Sequence, residues 1–447
     1  MAELTAVPVA RGMVLERTGS LGAAEVPLAQ ARGRVLAEDV IAPEDVPGFD
    51  NSAMDGYAVR AEDIAPASPE SPVALTLAGE SAAGHPAERG PGPGEAVAIS
   101  TGAMIPEGAD AVVRVEDTRR IGAAGTGDPA GAQAVDAAAG AAGRVDRGAG
   151  AADGEPVGII EVVSAAPPGC DIRRAGEDVR AGQRVLAAGT PVGPVELGLL
   201  ASAGKAEALC ARPPRVRVVV TGDELIGPGD EMRPGAVRDS NAHTVPALAI
   251  DCGAEVLSVE RAGDDRAATA EALGRALDAD LTVLCGGVSV GEHDHVRPAL
   301  SELGAEQIFW GVALRPGKPT WFGVGPEGSL VFGLPGNPVS AVVTFLLFAR
   351  PALLAMQGAD PASARGTAVL EDGYAKKPGR THAVRCSLRL AAAGLLARTT
   401  GPQGSHVLTS MLGADALAIF EAGGEGAAAG EEVEIELMPG SRIGGWR

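Results

Sequence analysis

Acidic and basic residues follow five short apolar runs in the middle of the chain, and their types suit phosphate and oxyanion chemistry. Carboxylates are ligands for Mg²⁺, which usually bridges protein carboxylates and substrate phosphate. The carboxylates of Glu224, Asp264 and Asp294 are therefore candidate Mg²⁺ ligands, and Arg315 and Lys318 supply positive charge beside them. The loops are TGDEL, GDD, GGVSVGEHDH, RPGKP and GLPGNPVS, starting at residues 221, 263, 286, 315 and 333.

A glycine-rich stretch, GGVSVG, adds a candidate anion cradle through Gly286, Gly287 and Ser289. Backbone N–H groups that precede a helix N-terminus attract anions. The stretch matches neither GxGxxG nor GxxxxGK[ST], so it does not indicate a nicotinamide or P-loop site. His293, Asp294 and His295 also resemble part of a zinc site, but consecutive residues rarely face one metal. Solvent-exposed residues at a helix start are the preferred interpretation of both histidines.

These loops need a scaffold that brings them together, and the pattern between residues 213 and 358 predicts one. Apolar runs such as RVRVVV and LTVLC alternate with helical segments, which indicates a doubly wound, parallel α/β domain. The carboxyl ends of parallel strands share one edge of the sheet, where ligands bind. Gly, Pro and Asp are also what ordinary turns require. Five such loops on one edge favour a binding site over that simpler explanation.

The remaining segments differ in character. Short apolar runs split by Gly and Pro predict a β-rich region in residues 47–172, with an Ala/Gly tract at about 122–154 expected to be a disordered surface loop. Alternating patterns such as EEVEIEL predict a small C-terminal β-domain. The apolar run from Ala341 is interrupted by Arg350 and Pro351, so it is expected to be a buried helix rather than a membrane span.

Composition excludes several function classes. The formal net charge of −21 argues against nucleic acid or an anionic membrane as a partner. Any anion site must therefore be built locally. The five cysteines are dispersed and form no CxxC pair, which argues against a disulfide framework and structural zinc. The N-terminus shows no signal-peptide pattern, and the expected location is the cytoplasm.

Three more polar motifs lie in the N-terminal half: DNSAMDGYAV from residue 50, STGAMIPEGADAVVRVED from residue 100 and DIRRAGEDVRAGQ from residue 171. The first packs carboxylates, an amide and a hydroxyl closely together. The third alternates basic and acidic residues, and a solvated charged turn remains an open interpretation of it. None of the six histidines neighbours a convincing nucleophile, so the sequence does not favour Ser or Cys hydrolysis.

Taken in order, DNSAMDGYAV, TGAMIPEGADAVV, DIRRAGEDV, TGDEL, GGVSVGEHD, RPGKPT and GLPGNPVSA resemble the molybdopterin molybdenumtransferase family, which includes the E domain of gephyrin. The resemblance extends to the C-terminal GPQGSHVLTSM. It implies an elongated dimerisation domain (residues 1–46 and 173–212), an inserted β-domain (47–172), a molybdopterin-binding α/β domain (213–358) and a C-terminal β-barrel (359–447).

The reaction that the resemblance implies converts adenylyl-molybdopterin and molybdate to molybdenum cofactor and AMP, with Mg²⁺. Carried over position by position, the implied catalytic and substrate-binding residues include, beside those already named, Asp55, Thr101, Arg173, Asp178 and Ser405. The implied assembly is a homodimer, and contact with a molybdopterin adenylyltransferase is a further expectation.

Two other functions stay open at this point. A molybdopterin adenylyltransferase would use the same α/β domain, although that activity does not need the N-terminal motifs. A non-catalytic, gephyrin-like scaffold would bind a partner without needing the acidic loops at the strand ends.

Overall fold

The computed structural model describes residues 3–121, 158–288, 295–392 and 394–440. The Ala/Gly tract expected to be disordered, together with Ser289 and Asp294, lies outside these ranges. The chain divides into two compact units. We call them the α/β–barrel unit (Met1–Val40, Leu186–Ala201 and Lys205–Arg447) and the β-sheet unit (Ile41–Val185 and Ser202–Gly204).

The N-terminal helix packs through one face. Val7, Ala10 and Val14 are buried at helical spacing and join the main hydrophobic core. The N-terminal elements are α1 (Val7–Leu15), β1 (Ala23–Pro27) and β2 (Val40–Ile41).

The β-sheet unit is built on a six-stranded sheet in the order β7-β4-β6-β5-β9-β8. Its strands bury both faces, because neighbours such as Val112 and Val113 point into two different cores. The elements from the start of this unit are β3 (Asn51–Ser52), β4 (Gly56–Val59), α2 (Ala61–Ile64), β5 (Val73–Ser81), β6 (Glu95–Ile99), β7 (Ala111–Arg114), β8 (Thr118–Ile121), β9 (Ile159–Val162), β10 (Ile172–Arg173) and β11 (Arg184–Leu186).

A second six-stranded sheet, ordered β16-β13-β17-β21-β20-β18, forms the centre of the α/β–barrel unit. Every residue of β17 is buried, as its continuous apolar run predicts. The elements up to the core helix are α3 (Pro194–Ser202), β12 (Glu207–Ala211), β13 (Arg215–Thr221), β14 (Leu225–Ile226), β15 (Val237–Arg238), α4 (Asn241–Asp251), β16 (Glu255–Ala262), α5 (Arg266–Ala276), β17 (Leu281–Cys285), α6 (Val296–Glu302), β18 (Glu306–Trp310), β19 (Leu314–Arg315), β20 (Trp321–Val324) and β21 (Leu330–Leu334).

The sequence analysis missed β20, which pairs antiparallel with both β21 and β18. The other five strands run parallel, so their carboxyl ends share one edge of a mixed sheet. The β20–β21 pair forms a hairpin around a short turn, and a four-residue strand beside a longer apolar run leaves little pattern to detect.

One long helical segment, Pro338–Met356, lies in the core of this unit, with α7 (Pro338–Thr344) and α8 (Arg350–Met356) joined by a π-helical stretch at Phe345–Ala349. It is long and apolar enough to cross a membrane, but 89% of it is buried inside the fold, as expected of a core helix. Pro351 has no N–H to donate to the carbonyl of Leu347 at ordinary helical spacing. The Nε of Arg11 in α1 donates to that carbonyl instead, at 3.0 Å.

The C-terminal strands close into a five-stranded barrel in the order β24-β25-β22-β28-β26, with β26 returning to β24 and β19 added beside β24. Together with the mixed α/β sheet, this confirms the multidomain α/β plus β fold class. The barrel region contains β22 (Arg365–Leu370), β23 (Tyr374–Ala375), β24 (Thr381–Ala391), β25 (Gly394–Thr399), β26 (Ala416–Phe420), β27 (Gly426–Ala427) and β28 (Glu432–Leu437).

A buried charge network joins helix α1, helix α8 and the barrel. The carboxylate of Glu436 in β28 accepts hydrogen bonds from Arg11 and Arg350, and Arg365 lies 3.6 Å from it. Glu436 is only 1% exposed. Removing one member of a buried charge group leaves the others uncompensated, so the network is needed for the three elements to stay packed.

We expect Glu436→Gln to lower the free energy of unfolding by about 3–5 kcal/mol, because two buried guanidinium groups lose their counter-charge. Glu432→Gln, on an exposed position of the same strand, is the matched control and should change it by less than about 0.5 kcal/mol. Urea denaturation followed by the fluorescence of Trp310 and Trp321 measures both. Equal stability of the two variants would contradict the structural role of the network.

Candidate functional site

A cavity of about 680 Å³ opens where the strands of the α/β–barrel unit end. We call it the strand-end cavity. Loops after β13, β16, β17 and β21 line it, as expected if ligands bind at the carboxyl edge of the sheet. The lining residues that matter chemically are Thr221, Glu224, Arg238, Asp239, Asn241, Asp264, Gly286, Gly287 and His406.

Two of the three candidate Mg²⁺ ligands, Glu224 and Asp264, line this cavity, and both are exposed to solvent. Within the described ranges, neither carboxylate forms an ion pair with a cation, so their charge stays available. The loops that carry them are tied together, because Asp223 and Asp264 each donate a backbone N–H to the other's carboxylate, at 3.1 and 3.0 Å. This exchange fixes one oxygen of Asp264 and leaves the other free.

The described residues contain no group of three or more His, Cys, Asp or Glu that could hold a metal ion by itself. Mg²⁺ binds one or two protein carboxylates when substrate phosphates and water complete its octahedron. Glu224 and Asp264 fit that kind of site and not an all-protein cage. The place of the third candidate, Asp294, lies outside the described residues.

The glycine pair at the end of β17 approaches β13 closely. Gly286 and Gly287 have φ values of +93° and +61°, in the region that favours glycine. A Cβ atom on either residue would lie 2.9 Å from the Thr221 hydroxyl oxygen, and one on Gly286 only 2.7 Å from the Thr221 carbonyl oxygen. Only glycine therefore leaves this wall of the cavity open.

Two buried polar atoms in the cavity wall have no hydrogen-bond partner among the described residues: the hydroxyl of Thr221 and the side-chain oxygen of Asn241. The residues are 7% and 6% exposed. The amide nitrogen of Asn241 donates to the Gly336 carbonyl at 2.8 Å, which holds the side chain in place. An unsatisfied buried polar atom costs about 1–3 kcal/mol, so both atoms point to a polar ligand.

The sequence places Asn241 at the start of a helix and Thr221 at the start of the TGDEL loop, and it assigns neither side chain to a site. Burial and missing partners are properties of the folded chain. The signal available in the sequence was the run Asp239-Ser240-Asn241, whose last residue begins helix α4. Asp239 is 4% exposed, and its carboxylate accepts hydrogen bonds from the Ala242 backbone and from Arg261.

The basic candidates are divided between two places. Lys318 is exposed, and the next residue, Pro319, lines the strand-end cavity. Arg315 instead lines a second cavity of about 820 Å³. We call this the barrel-mouth cavity and define it by Arg315, Tyr374, Lys376, Lys377, Arg380 and His382. Arg315 is there because β19 pairs with β24, which puts Arg315 beside His382.

Ser405 lies in a turn next to the strand-end cavity. Its carbonyl accepts the Val339 backbone N–H at 3.2 Å, and its neighbour His406 lines the cavity. Arg385 holds this turn: its guanidinium donates to the carbonyls of Pro402 and Gly404, at 3.3 and 3.2 Å.

Arg385, which the sequence analysis did not single out, is fully buried, and burial lowers the pKa of its guanidinium. Its Nη1 has no partner among the described residues. A buried guanidinium with a free N–H group beside the Ser405 turn is suited to bind an oxyanion.

In the β-sheet unit, Asp55 and Thr101 meet. The carboxylate of Asp55 accepts from the backbone N–H and from the hydroxyl of Thr101, at 2.7 and 3.0 Å. The other carboxylate oxygen has no hydrogen-bond partner among the described residues, and both residues are exposed. Arg173 and Asp178 are also exposed, and neither has an ion-pair or hydrogen-bonding side-chain partner in the part of the chain that the structure describes.

The chain is similar to three family regions in succession. Residues 5–204 match the region described as "MoeA N-terminal region (domain I and II)", residues 217–355 the "Probable molybdopterin binding domain" and residues 367–438 the "MoeA C-terminal region (domain IV)".

Curated relatives extend this similarity over most of the chain. Molybdopterin molybdenumtransferase 2 of Mycobacterium tuberculosis is 39% identical over 88% of this chain and 89% of its own length. The molybdopterin molybdenumtransferase of Haemophilus influenzae is 36% identical over 92% of each chain. Among solved structures, the molybdopterin biosynthesis moeA protein of Pyrococcus horikoshii superimposes with a TM-score of 0.77 at 30% identity, over 98% of this chain and 100% of the other.

The close approach at Gly286 gives a test of the cavity wall. Gly286→Ala should lower the free energy of unfolding by about 1–3 kcal/mol, because the new methyl group meets Thr221 and the positive φ strains an L residue. Gly229→Ala is the control, since its Cβ would meet no atom within 4 Å. It should have little effect or stabilise slightly. Thermal unfolding of both variants measures these changes in stability. A Gly286→Ala variant as stable as the wild type would refute the close packing.

Proposed function

Because the chain belongs to the molybdopterin molybdenumtransferase family of transferases in molybdenum-cofactor biosynthesis, we propose that it inserts molybdenum from molybdate into adenylylated molybdopterin. The products are molybdenum cofactor and AMP, and the reaction uses Mg²⁺. We also propose that the chain acts in the cytoplasm as a homodimer and receives its substrate from a molybdopterin adenylyltransferase.

The observation that carries the proposal is the composition of the strand-end cavity. This cavity is lined by Thr221 and Asn241, each with a buried polar atom that has no partner among the described residues, and by the carboxylates of Glu224 and Asp264, which pair with no described cation. The ring edge of a pterin carries N–H groups that suit the Asn241 oxygen as an acceptor. A phosphate-bearing pterin therefore meets both requirements of the cavity. Its polar ring edge suits the unpartnered polar atoms, and its phosphate, bridged by a metal ion, suits the carboxylates.

Glu224 and Asp264, with Asp294 as a third candidate, would hold Mg²⁺ against the phosphates of the substrate. The ion would supply charge neutralisation where AMP leaves. Without it, two carboxylates would repel a phosphate group in a protein that is already strongly acidic. Because Gly286 and Gly287 have no side chain, they leave room for the ligand in the cavity. Ser289 is the third candidate of that stretch.

Molybdate binding is assigned to Lys318, Arg385 and the Ser405 turn. Two observations support this assignment: the Nη1 of Arg385 has no partner among the described residues, and Lys318 is exposed next to Pro319, which lines the strand-end cavity. Burial makes a guanidinium a stronger oxyanion ligand, because less water competes for its N–H groups. Arg315, the remaining basic candidate, binds an oxyanion from the barrel-mouth cavity.

Asp55 and Thr101 are proposed to act on the substrate as a pair, in which Thr101 orients the carboxylate and the free Asp55 oxygen accepts from the ligand. Arg173 and Asp178 are proposed to contact the substrate from the same unit. Their unpaired charges are the observation that supports this role.

The decisive experiment incubates purified protein with adenylyl-molybdopterin, Mg²⁺ and molybdate and measures AMP. We expect AMP release only when molybdate is present, since metal insertion and anhydride cleavage belong to one reaction. AMP release at the same rate without molybdate would refute the insertion reaction. ATP consumption with free molybdopterin would indicate an adenylyltransferase, and partner binding without any turnover a scaffold.

The Mg²⁺ assignment predicts that Glu224→Gln and Asp264→Asn lower the rate of AMP release by about 100-fold or more at limiting Mg²⁺, because the electrostatic contribution of the metal is lost. Part of this loss should be recovered at high Mg²⁺. Asp294→Asn should lower the rate of AMP release in the same way and be partly rescued at high Mg²⁺. Glu231→Gln, an exposed carboxylate on the segment after Glu224, is the matched control and should titrate like the wild type. Variants with an unchanged Mg²⁺ dependence would remove these carboxylates from the metal site.

A further inference from the structure

The barrel-mouth cavity concentrates positive charge in an acidic protein. Four of the six residues that define it, Arg315, Lys376, Lys377 and Arg380, are cations, and none of the described residues that line it is a carboxylate. The net charge of the chain is −21, so cations are in the minority. Many arginines elsewhere form salt bridges with carboxylates. A volume of about 820 Å³ walled by unopposed cations requires an explanation.

None of these four charges is neutralised within the described part of the chain. The ammonium of Lys376, which is 9% exposed, donates to the carbonyls of Ala422 and Gly424, at 3.3 and 2.7 Å. Those partners fix the side chain but carry no charge. Arg315, Lys377 and Arg380 form no ion pair or side-chain hydrogen bond with a described residue. The cavity thus has one anchored cation and three available ones.

The cations converge on one imidazole. His382 is 6% exposed, and its Nδ1 lies 3.0 Å from the Tyr374 hydroxyl, with which it shares a hydrogen bond. Burial, and then the charges of Arg315, Lys376 and Arg380, lower the pKa of His382 to about 4. The imidazole is therefore neutral at pH 7. Arg315, Lys376 and Arg380 are thus within electrostatic range of this ring, and all three line the same cavity as His382.

The base of the cavity is rigid. Tyr374 packs on Phe420 of the barrel, with ring centroids 4.8 Å apart, and on His382 at 5.9 Å. Backbone pairing of β19 with β24 places Arg315 directly beside His382. Arg315 and His382 therefore project to the same side of the sheet, and Arg385, three residues further along β24, projects to the other side.

We propose that the barrel-mouth cavity is a second anion site, which binds a compact dianionic oxyanion of the sulfate, phosphate or molybdate type, apart from the strand-end cavity. The guanidinium groups of Arg315 and Arg380 and the ammonium of Lys377 contact the oxyanion through charge-assisted hydrogen bonds. Lys376 contributes charge from its fixed position. A free oxyanion and the phosphate of a nucleotide share this chemistry, so both are probes. The inference rests on the proposed function only in giving Arg315 an oxyanion ligand.

Histidine NMR of the full chain tests the site without turnover. Sulfate, molybdate and AMP are titrated in separate arms at low ionic strength, and the His382 resonance is assigned with His382→Gln. We expect a saturable shift of this resonance and a rise in the pKa of His382, because a bound anion opposes the cations that lower it. Saturation by the inorganic ions alone identifies a free oxyanion, and saturation by AMP as well identifies a phosphate group as sufficient.

The variants separate a built site from general electrostatics. Arg380→Ala and Lys377→Ala should each weaken the apparent affinity by about tenfold, and Arg380→Lys by less. Arg32→Ala and Lys205→Ala remove exposed cations outside the cavity and should change it by less than about twofold. No saturable shift, or equal losses in cavity and control variants, would overturn the proposal. If AMP release in the activity assay requires molybdate but the His382 resonance does not shift, only this inference is refuted and the proposed function stands. If oxyanions bind at His382 but no turnover occurs, the result counts against the proposed function instead.

Discussion

The buried carboxylate of Glu436 is the interaction on which the α/β–barrel unit depends. It is the common partner of Arg11 from the N-terminal helix and Arg350 from the core helix. The same Arg11 supplies the donor that Pro351 cannot give to the Leu347 carbonyl. The core helix packs under the strands whose ends form the strand-end cavity, and it begins at Pro338 on the cavity rim. One barrel glutamate thus helps to hold in place the helix whose first residue, Pro338, lines the candidate site.

Charge is distributed unevenly over that framework. The strand-end cavity presents the carboxylates of Glu224 and Asp264, which pair with no described cation although Arg238 also lines it, and the barrel-mouth cavity presents cations with no carboxylate among its described lining residues. Salt bridges elsewhere show that this chain can pair its charges, for example at Arg114 with Asp171, where the guanidinium lowers the pKa of the Asp171 carboxyl. Unpaired charge in a cavity costs desolvation energy, and a ligand of opposite charge recovers it. The two cavities accordingly require different ligands, a metal-bridged phosphate in one and an oxyanion in the other.

The parts of the fold that the sequence predicts are those with long, uniform patterns. The continuous apolar run of β17 and the alternation in β28 identify the α/β sheet and the barrel, and the order of the motifs identifies the family. Short β19 and β20 carry no such pattern, and β19 determines that Arg315 lines the barrel-mouth cavity. The meeting of Asp55 with Thr101 follows from the antiparallel pairing of β4 with β6, which puts Gly56 opposite Ile99, and the sequence does not show which strands pair. The residues proposed as ligands from sequence remain predictions, except that the geometry now shows which of them share a cavity.

Buried polar atoms without partners could not be read from the sequence at all. Among the described residues five such atoms exist, in Thr221, Asn241, Arg297, Ser329 and Arg385. Arg297 lies over the Trp310 ring, with its guanidinium carbon 4.9 Å from the ring centroid. Thr221 and Asn241 line the strand-end cavity, and Arg385 holds the turn that brings His406 to it. Each unsatisfied atom lowers stability, so the two in residues that line this cavity indicate that binding, and not stability, determines Thr221 and Asn241.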